Sequence, residues 1–404
     1  MLSQHSRGIV LATLPAVRRT VAEIAGRFYD SLFDARPDLL NLFNLGNQAN
    51  GEQRKALAAS VVAFAEHLTG TTVIPIDAVV RRVAHKHVSL GIRPEQYTIV
   101  GRYLLAAVAD VLGDAVTPEV AAAWDEVYWL FAVRLIAAET RLYQGTGQDR
   151  GYLNAPWTVV GRFEEAQDTV SLALAPDNGP IPRHLPGQYT TVTVDLPNGM
   201  RQARQYTLSE APGHNTLRIT VRRVRGRAGA PDGMVSTFLT RDIRIGDRLR
   251  VSHPGGDVAL PDTGPLVLAS AGIGITPIAA MIEHLAETQP DRPVVAVHAE
   301  RSPKRHALAW HVHRHGARLA SFENILYYEQ DAPSWARSGL VAPDALPLPP
   351  GASAYLCGPL PFMRHVRAAL LRRGMPTDRI RFEVFGPDLW TTGADRLPAP
   401  QPIA

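Results

Sequence analysis

The hydrophobic pattern of this chain changes twice along its length, and each change restricts the folds open to the segment that follows. Up to about residue 146, apolar residues recur three or four positions apart, which is typical of amphipathic helices. Examples are Val21, Ile24, Phe28 and Leu32, followed later by Leu57, Val61, Phe64 and Leu68. Residues 1–146 are therefore predicted to form an all-α domain.

The rest of the chain carries two different strand patterns. Between residues 157 and 260, short alternating runs are separated by Gly and Pro clusters, which indicates an antiparallel barrel or sandwich, and we predict a β-barrel at 152–261. From Pro265 onward, apolar strands alternate with helical segments, which predicts an α/β domain with a doubly wound parallel sheet at 264–390. Residues 391–404 form a polar, Pro-rich tail. The expected fold is thus multidomain.

Composition narrows the class of protein. Three of the 42 basic residues are lysine and the arginines are scattered, so the net charge of +4 does not indicate nucleic-acid binding. No apolar run approaches the roughly 20 residues of a membrane span, and the N-terminus lacks a secretion-signal pattern. The single cysteine, Cys357, excludes an internal disulfide and fits a reducing compartment. We expect a cytoplasmic monomer without stable membrane association.

Three segments of the predicted barrel carry groups that suit a dinucleotide with an aromatic ring system. The guanidinium of Arg204 suits a phosphate, the Tyr206 ring can stack, and the Thr207 hydroxyl can form a hydrogen bond. Gly233 stands where a helix can begin and present free N–H groups to a phosphate. The candidate binding residues of this region are Tyr189, Arg204, Gln205, Tyr206, Thr207, Gly233, Met234, Val235 and Ser236.

A glycine-containing loop follows the first strand of the predicted α/β domain. Gly272 and Gly274 let backbone approach a pyrophosphate, although Pro277 occupies the third glycine position of a GxGxxG motif. Leu-Cys-Gly-Pro and Phe-Gly-Pro motifs follow at 356–359 and 385–387.

In this order, the barrel and α/β motifs resemble the ferredoxin–NADP reductase family over about residues 155–390. The resemblance implies that FAD and NAD(P)H bind here, with Cys357 beside the nicotinamide and Phe385 over the flavin. The residues of the α/β part assigned to these cofactors are Gly272, Ile273, Gly274, Ile275, Thr276, Pro277, Cys357, Gly358, Pro359, Phe385, Gly386 and Pro387.

The helical half places polar residues within apolar faces. Gln53 begins the stripe that continues through Leu57, and Tyr29 lies within the apolar face of the preceding helix. Because buried polar groups need partners, both are expected to face a polar ligand in an apolar pocket. His87 follows 34 residues after Gln53, in the pattern of a globin whose histidine ligates haem iron. His85, two positions earlier, remains an alternative ligand.

Short sequence motifs in the helical half resemble those of the flavohaemoglobins. Together with the reductase-like half, this resemblance covers nearly the whole chain. It rests on Phe28-Tyr29-Asp30, Leu42-Phe43-Asn44, Gly51-Glu52-Gln53-Arg54, Lys86-His87-Val88-Ser89 and Pro94-Glu95-Gln96-Tyr97. The resemblance implies haem b with His87 as the proximal iron ligand. It further implies distal roles for Tyr29, Gln53 and Leu57, haem contacts for Phe43 and Lys86, and a proximal hydrogen-bond network of Tyr97 and Glu139.

The resemblance implies a nitric oxide dioxygenase that oxidises NO to nitrate with O₂ and NAD(P)H, through FAD and haem. Its small-molecule partners would be O₂ and NO. Alternatives are a haem-flavin reductase of another oxidant, such as a lipid hydroperoxide or a quinone, and a haem gas sensor. Glu300 and the neighbouring Arg301 and Arg305 leave the choice between NADH and NADPH open, with Glu300 favouring NADH.

Three closely spaced histidines form a further candidate site. His311 and His315 have helical i,i+4 spacing, and His313 lies between them. Since the adjacent sequence offers no carboxylate pattern, the structural interpretation is favoured over metal binding.

Overall fold

The computed structural model describes residues 2–41, 52–71, 76–145, 155–226, 231–257, 260–261 and 263–385, and for 52–56, 58 and 59 the backbone alone. Within them the chain divides into two compact units. The first comprises mainly the N-terminal 154 residues, and the second comprises most of 155–385. Every helix of the described part is too short or too polar to cross a bilayer.

The first unit is built from helices. They are α1 (Gln4–Ala35), a 3₁₀ turn (Pro37–Asn41), α2 (Glu52–Thr69), α3 (Ile76–Leu90), α4 (Pro94–Leu112) and α5 (Pro118–Gly145). The side chains at helical spacing form a single core, in which Phe28, Leu32 and Phe64 are almost fully buried. Phe64 of α2 stacks on Phe131 of α5 with ring centroids 4.7 Å apart. The prediction of an all-α N-terminal half is confirmed.

The second unit begins with an antiparallel sheet in the order β4-β3-β6-β1-β2-β5 among the described residues. Its strands are β1 (Ala155–Ala166), β2 (Thr169–Pro176), β3 (Tyr189–Asp195), β4 (Arg201–Thr207), β5 (Leu217–Arg222) and β6 (Arg248–Val251). A bridge between Leu208 and Ile219 joins the ends of the order, so the sheet curls towards closure as a barrel does. The short helix α6 (Met234–Arg241) packs against β5.

The same unit continues with a parallel sheet in the order β10-β9-β8-β7-β11-β12. Its strands are β7 (Leu266–Ala271), β8 (Val294–Glu300), β9 (Phe322–Tyr328), β10 (Arg337–Ser338), β11 (Ser353–Cys357) and β12 (Ile380–Glu383). The helices of this part are α7 (Ile275–Thr288), α8 (Ala309–Gly316) and α9 (Leu360–Arg372). Strand order reverses between β7 and β11, and ligands of such sheets bind at that switch point. The predicted antiparallel and doubly wound α/β folds are both confirmed.

Candidate functional site

Side chains from two helices of the first unit contact an imidazole on a third helix. Nδ1 of His87 on α3 lies 2.8 Å from Oε1 of Glu139 on α5 and 2.9 Å from the Tyr97 hydroxyl on α4. The Tyr97 hydroxyl donates to the same Glu139 oxygen at 2.5 Å. Since Nδ1 is engaged, Nε2 is the ring nitrogen that His87 offers to a metal. The donor set therefore fits a haem iron on the Nε2 side.

Burial holds this triad in place. Glu139 is 2 % exposed, and its other oxygen, Oε2, has no hydrogen-bond partner among the described residues. Burial, and then the Glu139 charge, raise the pKa of Tyr97, so this phenol stays a proton donor. The Tyr128 hydroxyl donates to the Tyr97 carbonyl, and its ring lies where Gly101 leaves room. A Cβ at Gly101 would come within 2.4 Å of that ring.

Two of the four residues predicted to line the distal side of the haem pocket have described side chains. Tyr29 on α1 is 2 % exposed, with its ring centroid 4.7 Å from that of Phe28 and 5.6 Å from that of Phe33. Leu57 of α2 packs against the same core. Gln53 belongs to α2, but its side chain lies outside the described residues, as does all of Phe43.

Two residues close to His87 on α3, Lys86 and His85, were also candidates for the haem site. Lys86 is half-buried. His85 is also half-buried. The Glu139 and Tyr97 contacts reach His87, which supports it over His85 as the iron ligand.

In the second unit, the predicted dinucleotide residues lie on β3, β4 and the start of α6. Tyr189 and Thr207 are buried, Arg204 and Tyr206 are half-buried, and Gln205 is exposed. Burial lowers the pKa of the Arg204 guanidinium and raises the pKa of the Tyr206 phenol. A guanidinium in low-dielectric surroundings interacts strongly with an anion, which suits a phosphate ligand.

Gly233 is the residue that precedes the first turn of α6. The Ser236 hydroxyl accepts from the Val224 amide and donates to the Gly233 carbonyl, which fixes the approach to the helix. A Cβ at Gly233 would lie 2.8 Å from that hydroxyl. The first-turn N–H groups, at Met234, Val235 and Ser236, have no acceptor within the helix and can bind an anion.

The glycine loop and the Cys-Gly-Pro motif lie together at the switch point of the parallel sheet. A Cβ at Gly274 would come within 2.3 Å of the Cys357 carbonyl oxygen, so the two backbones touch. Pro277 stands in the first turn of α7, where its missing N–H costs no helical hydrogen bond. Burial raises the pKa of the Cys357 thiol, which keeps it protonated and unreactive.

The other predicted nucleotide-binding residues near this switch point differ in their burial. Ile275 and Thr276 open α7 and are buried, while Ile273 is half-buried. Gly358 is half-buried and Pro359 exposed at the end of β11. Phe385 is 45 % exposed, and Gly386 and Pro387 lie outside the described residues.

Two arrangements in the second unit were not predicted. Glu300, at the end of β8, is 1 % exposed, and its carboxylate accepts from Arg222 at 2.6 Å and from the Arg301 amide at 2.9 Å. Glu283 of α7 joins His311 and His315 of α8, and it was missed because it lies on a different helix from the histidines.

Comparison with known proteins agrees with this architecture. The sequence model of the globin family matches residues 26–135, and that of the oxidoreductase NAD-binding domain matches 268–368. The chain is 41% identical over 402 residues to a flavohemoprotein of Bordetella pertussis, covering 96% of this chain and 99% of the relative. It is 38% identical over 409 residues to a flavohemoprotein of Rhizobium meliloti, covering 96% and 100%.

Solved structures give the same result. A flavohemoglobin from Malassezia yamatoensis with bound FAD and heme matches with a TM-score of 0.87 and 32% identity, covering 95% of this chain and all of that one. The flavohem-like FAD/NAD-binding domain of a nitric oxide dioxygenase from Vibrio cholerae matches 58% of this chain and all of its own length. Its TM-score is 0.55 and its identity 32%.

Proposed function

The chain belongs to the flavohaemoprotein family, and we propose that it is a nitric oxide dioxygenase that oxidises NO to nitrate with O₂ and NAD(P)H. The observation that carries the proposal is the contact of the buried Glu139 carboxylate with Nδ1 of His87. A globin that stores O₂ has no use for an activated proximal ligand, whereas an oxygen-consuming enzyme does. The Vibrio cholerae relative, whose reductase half is similar, is itself a nitric oxide dioxygenase.

Haem b fits the first unit on its own chemistry. His87 would hold the iron through Nε2, while Tyr97 and Glu139 orient the ring from the Nδ1 side. A carboxylate that accepts the Nδ1 proton gives the imidazole imidazolate character and raises its electron donation. Tyr29, and Gln53 on α2, would supply the hydrogen bonds of the distal side, with Leu57 and Phe43 as apolar walls.

FAD and NAD(P)H fit the second unit, and the Malassezia yamatoensis relative binds FAD together with heme. Arg204 and the start of α6 at Gly233 would hold the FAD phosphates, and Tyr189 and Tyr206 its aromatic system. The loop at Gly274 and the Cys357–Pro359 turn would hold the nicotinamide nucleotide. Together the bound cofactors supply the division of a two-electron hydride into single electrons and the iron that activates O₂.

The surroundings of Glu300 bear on the nucleotide preference. The sequence favoured NADH because an acid at this position can bind a ribose diol and repel a 2′-phosphate. In the structure, the Glu300 carboxylate is paired with Arg222 and accepts from the Arg301 amide, and Arg305 lies 3.9 Å from it. Because these arginines offset the negative charge of Glu300, the carboxylate does not select NADH over NADPH, and the proposed electron donor stays NAD(P)H.

A reductase of lipid hydroperoxides is the second candidate, because a strongly donating proximal ligand also favours O–O cleavage. The same triad supports it. The two functions differ in the oxidant that accelerates NADH consumption.

The test uses the purified full-length protein. An optical spectrum should show a Soret band with flavin absorption, and NADH added without oxygen should reduce the haem. In air, added NO should then accelerate NADH loss while nitrate accumulates. NADH consumption that responds to a lipid hydroperoxide and not to NO would replace the first function by the second.

A further inference from the structure

A cluster of imidazoles surrounds one buried carboxylate in the second unit. Nε2 of His311 lies 3.3 Å from Oε2 of Glu283, and Nε2 of His315 lies 3.6 Å from Oε1. His214, in the loop between β4 and β5, places its Nε2 3.0 Å from Oε1. The cluster thus joins a loop of the barrel to helices α7 and α8 of the nucleotide domain.

These distances match the spacing of ligands around zinc. Zinc binds His nitrogen and carboxylate oxygen at about 2.0–2.2 Å, so two ligands of a tetrahedral site are about 3.3–3.6 Å apart. The ligand atoms of Glu283, His311 and His315 all lie within 4.8 Å of one another. Small side-chain rotations would bring them around one ion. The α8 pair is preorganised, since i,i+4 positions share one helix face and the two rings lie 4.5 Å apart.

A backbone group outside the cluster orients the carboxylate of Glu283, as the outer hydrogen bonds of metal ligands do. The Ala211 amide, 2.7 Å from Oε2, fixes the carboxylate from outside.

Two guanidinium groups lie beside the cluster, and a nitrogen of one of them, Arg318, lies 3.5 Å from Nδ1 of His315, on the side of the ring away from Glu283. A guanidinium nitrogen of Arg218 lies 3.2 Å from Nδ1 and 3.4 Å from Nε2 of His311. Nearly equal distances mean that the guanidinium lies over the ring face, because an in-plane hydrogen bond to one nitrogen would be far from the other. This contact leaves the in-plane direction of Nε2 pointing towards Glu283, where zinc would take the place of the proton between the two groups. The carboxylate of Glu210, 3.8 Å from Arg218, compensates its charge.

We propose that Glu283, His311 and His315, with His214 as the fourth ligand, bind a zinc-type divalent cation. Three of the four side chains are about nine-tenths buried, while His214 is 42% exposed and gives the ion a path from solvent. Four protein ligands make a structural site, which ties the barrel loop at 208–216 to α7 and α8. The proposal does not rest on the dioxygenase function.

The test is equilibrium dialysis of untagged, chelator-treated holoprotein against Zn²⁺, with zinc and haem iron counted by mass spectrometry. The wild-type chain should bind one zinc tightly, and its thermal midpoint should rise with Zn²⁺. His315→Ala and Glu283→Gln should each weaken zinc binding by more than the about 10–100-fold typical of an outer-sphere change. The exposed His214→Gln should weaken it without risk to folding.

His313→Ala is the matched control, because His313 is exposed on the same helix between the two proposed ligands. It should bind zinc as the wild type does. Each variant is first checked for haem absorption and for NADH-driven flavin reduction, which report folding of each unit. The proposal is overturned if the wild type binds no zinc, if the folded ligand variants bind it unchanged, or if His313→Ala loses it.

Discussion

Oε1 of Glu139 lies 2.8 Å from Nδ1 of His87, although 52 positions separate the two residues in the chain. The contact requires α3 and α5 to pack side by side, and Tyr97 from α4 shares the same oxygen. A buried carboxylate without this partner would be strongly destabilising, so the fold and the imidazole stabilise each other. This network sets the electron donation of the proposed iron ligand.

Glu139→Gln should weaken that donation. The amide can still accept a hydrogen bond, but it carries no charge and cannot draw the Nδ1 proton. We expect the iron–histidine stretching band of the ferrous protein to move to lower frequency, and NO turnover to fall about 10–100-fold. Resonance Raman spectroscopy and NO consumption measure the two effects. Glu119→Gln, an exposed change in the first turn of the same helix, should alter neither. An unmoved band in Glu139→Gln would contradict the electronic role.

Tyr29→Phe tests the distal side. Its hydroxyl is buried, and a hydrogen bond to a charged or strongly polar ligand contributes about 1.5–3 kcal/mol. Loss of this bond should speed O₂ dissociation by about 10–100-fold, which flash photolysis or stopped-flow mixing would record. Tyr103→Phe, a half-buried tyrosine of α4, is the control and should leave the rate unchanged. Equal rates in Tyr29→Phe and wild type would remove Tyr29 from the oxygen site.

Gly274→Ala tests the contact between the glycine loop and β11. The new Cβ would meet the Cys357 carbonyl oxygen at 2.3 Å, which forces the two motifs apart. We expect a loss of about 1–3 kcal/mol of stability and hydride transfer slower by up to about 100-fold. Anaerobic reduction of the flavin by NADH gives the rate. Gly8→Ala, a helical glycine with open space around it, should leave that rate unaltered.

Features that one segment of the chain determines can be predicted from the sequence, whereas contacts between residues far apart in the chain cannot. The periodicity of Phe28, Leu32 and Phe64 marked faces that the core indeed buries, because one helix carries its own pattern. Spacing could not choose between His85 and His87. That choice rests on Tyr97 and Glu139, which lie on other helices and came from the family resemblance.

In the second unit, too, the fold was predictable from the sequence, whereas contacts between separate elements were not. The alternation of strands and helices predicted the doubly wound parallel sheet, because each strand–loop–helix unit carries its own pattern. The contact of Gly274 with the Cys357 backbone could not be predicted, since it joins two strands that are far apart in the sequence. Glu283 was missed as a neighbour of His311, since the contact arises from packing of α7 on α8. Glu300 was recognised from the sequence as an acid that could affect nucleotide choice, but its pairing with Arg222 could not be predicted, because Arg222 lies on β5 of the antiparallel sheet.

Acidification should destabilise the second unit through His306. Burial, and then the charge of Arg222, lower the pKa of His306 to about 4, and its Nδ1 lies 2.7 Å from the Tyr328 hydroxyl. The unfolded chain binds a proton near the ordinary pKa of 6.5, whereas the folded chain resists it down to about 4. Stability is therefore full above pH 6.5 and falls, by up to about 3 kcal/mol, as the pH drops to 4.

His306→Gln should flatten this pH dependence, because glutamine does not titrate. Urea-unfolding midpoints from tryptophan fluorescence at pH 7 and pH 4.5 give the comparison. His313→Gln, an exposed histidine, should keep the wild-type slope. If His306→Gln lost as much stability between the two pH values as wild type, the neutral state of His306 would not be the cause.

The most direct test of the proposed dioxygenase is the ratio of nitrate formed to NADH consumed when the purified protein receives NO in air. Each conversion of NO and O₂ to nitrate takes one electron and each NADH supplies two, so we expect two nitrates per NADH. The ratio of nitrate to NADH should stay the same in Glu139→Gln, although the rate of NO consumption falls. NADH consumption that neither depends on NO nor yields nitrate would contradict the proposed dioxygenase function.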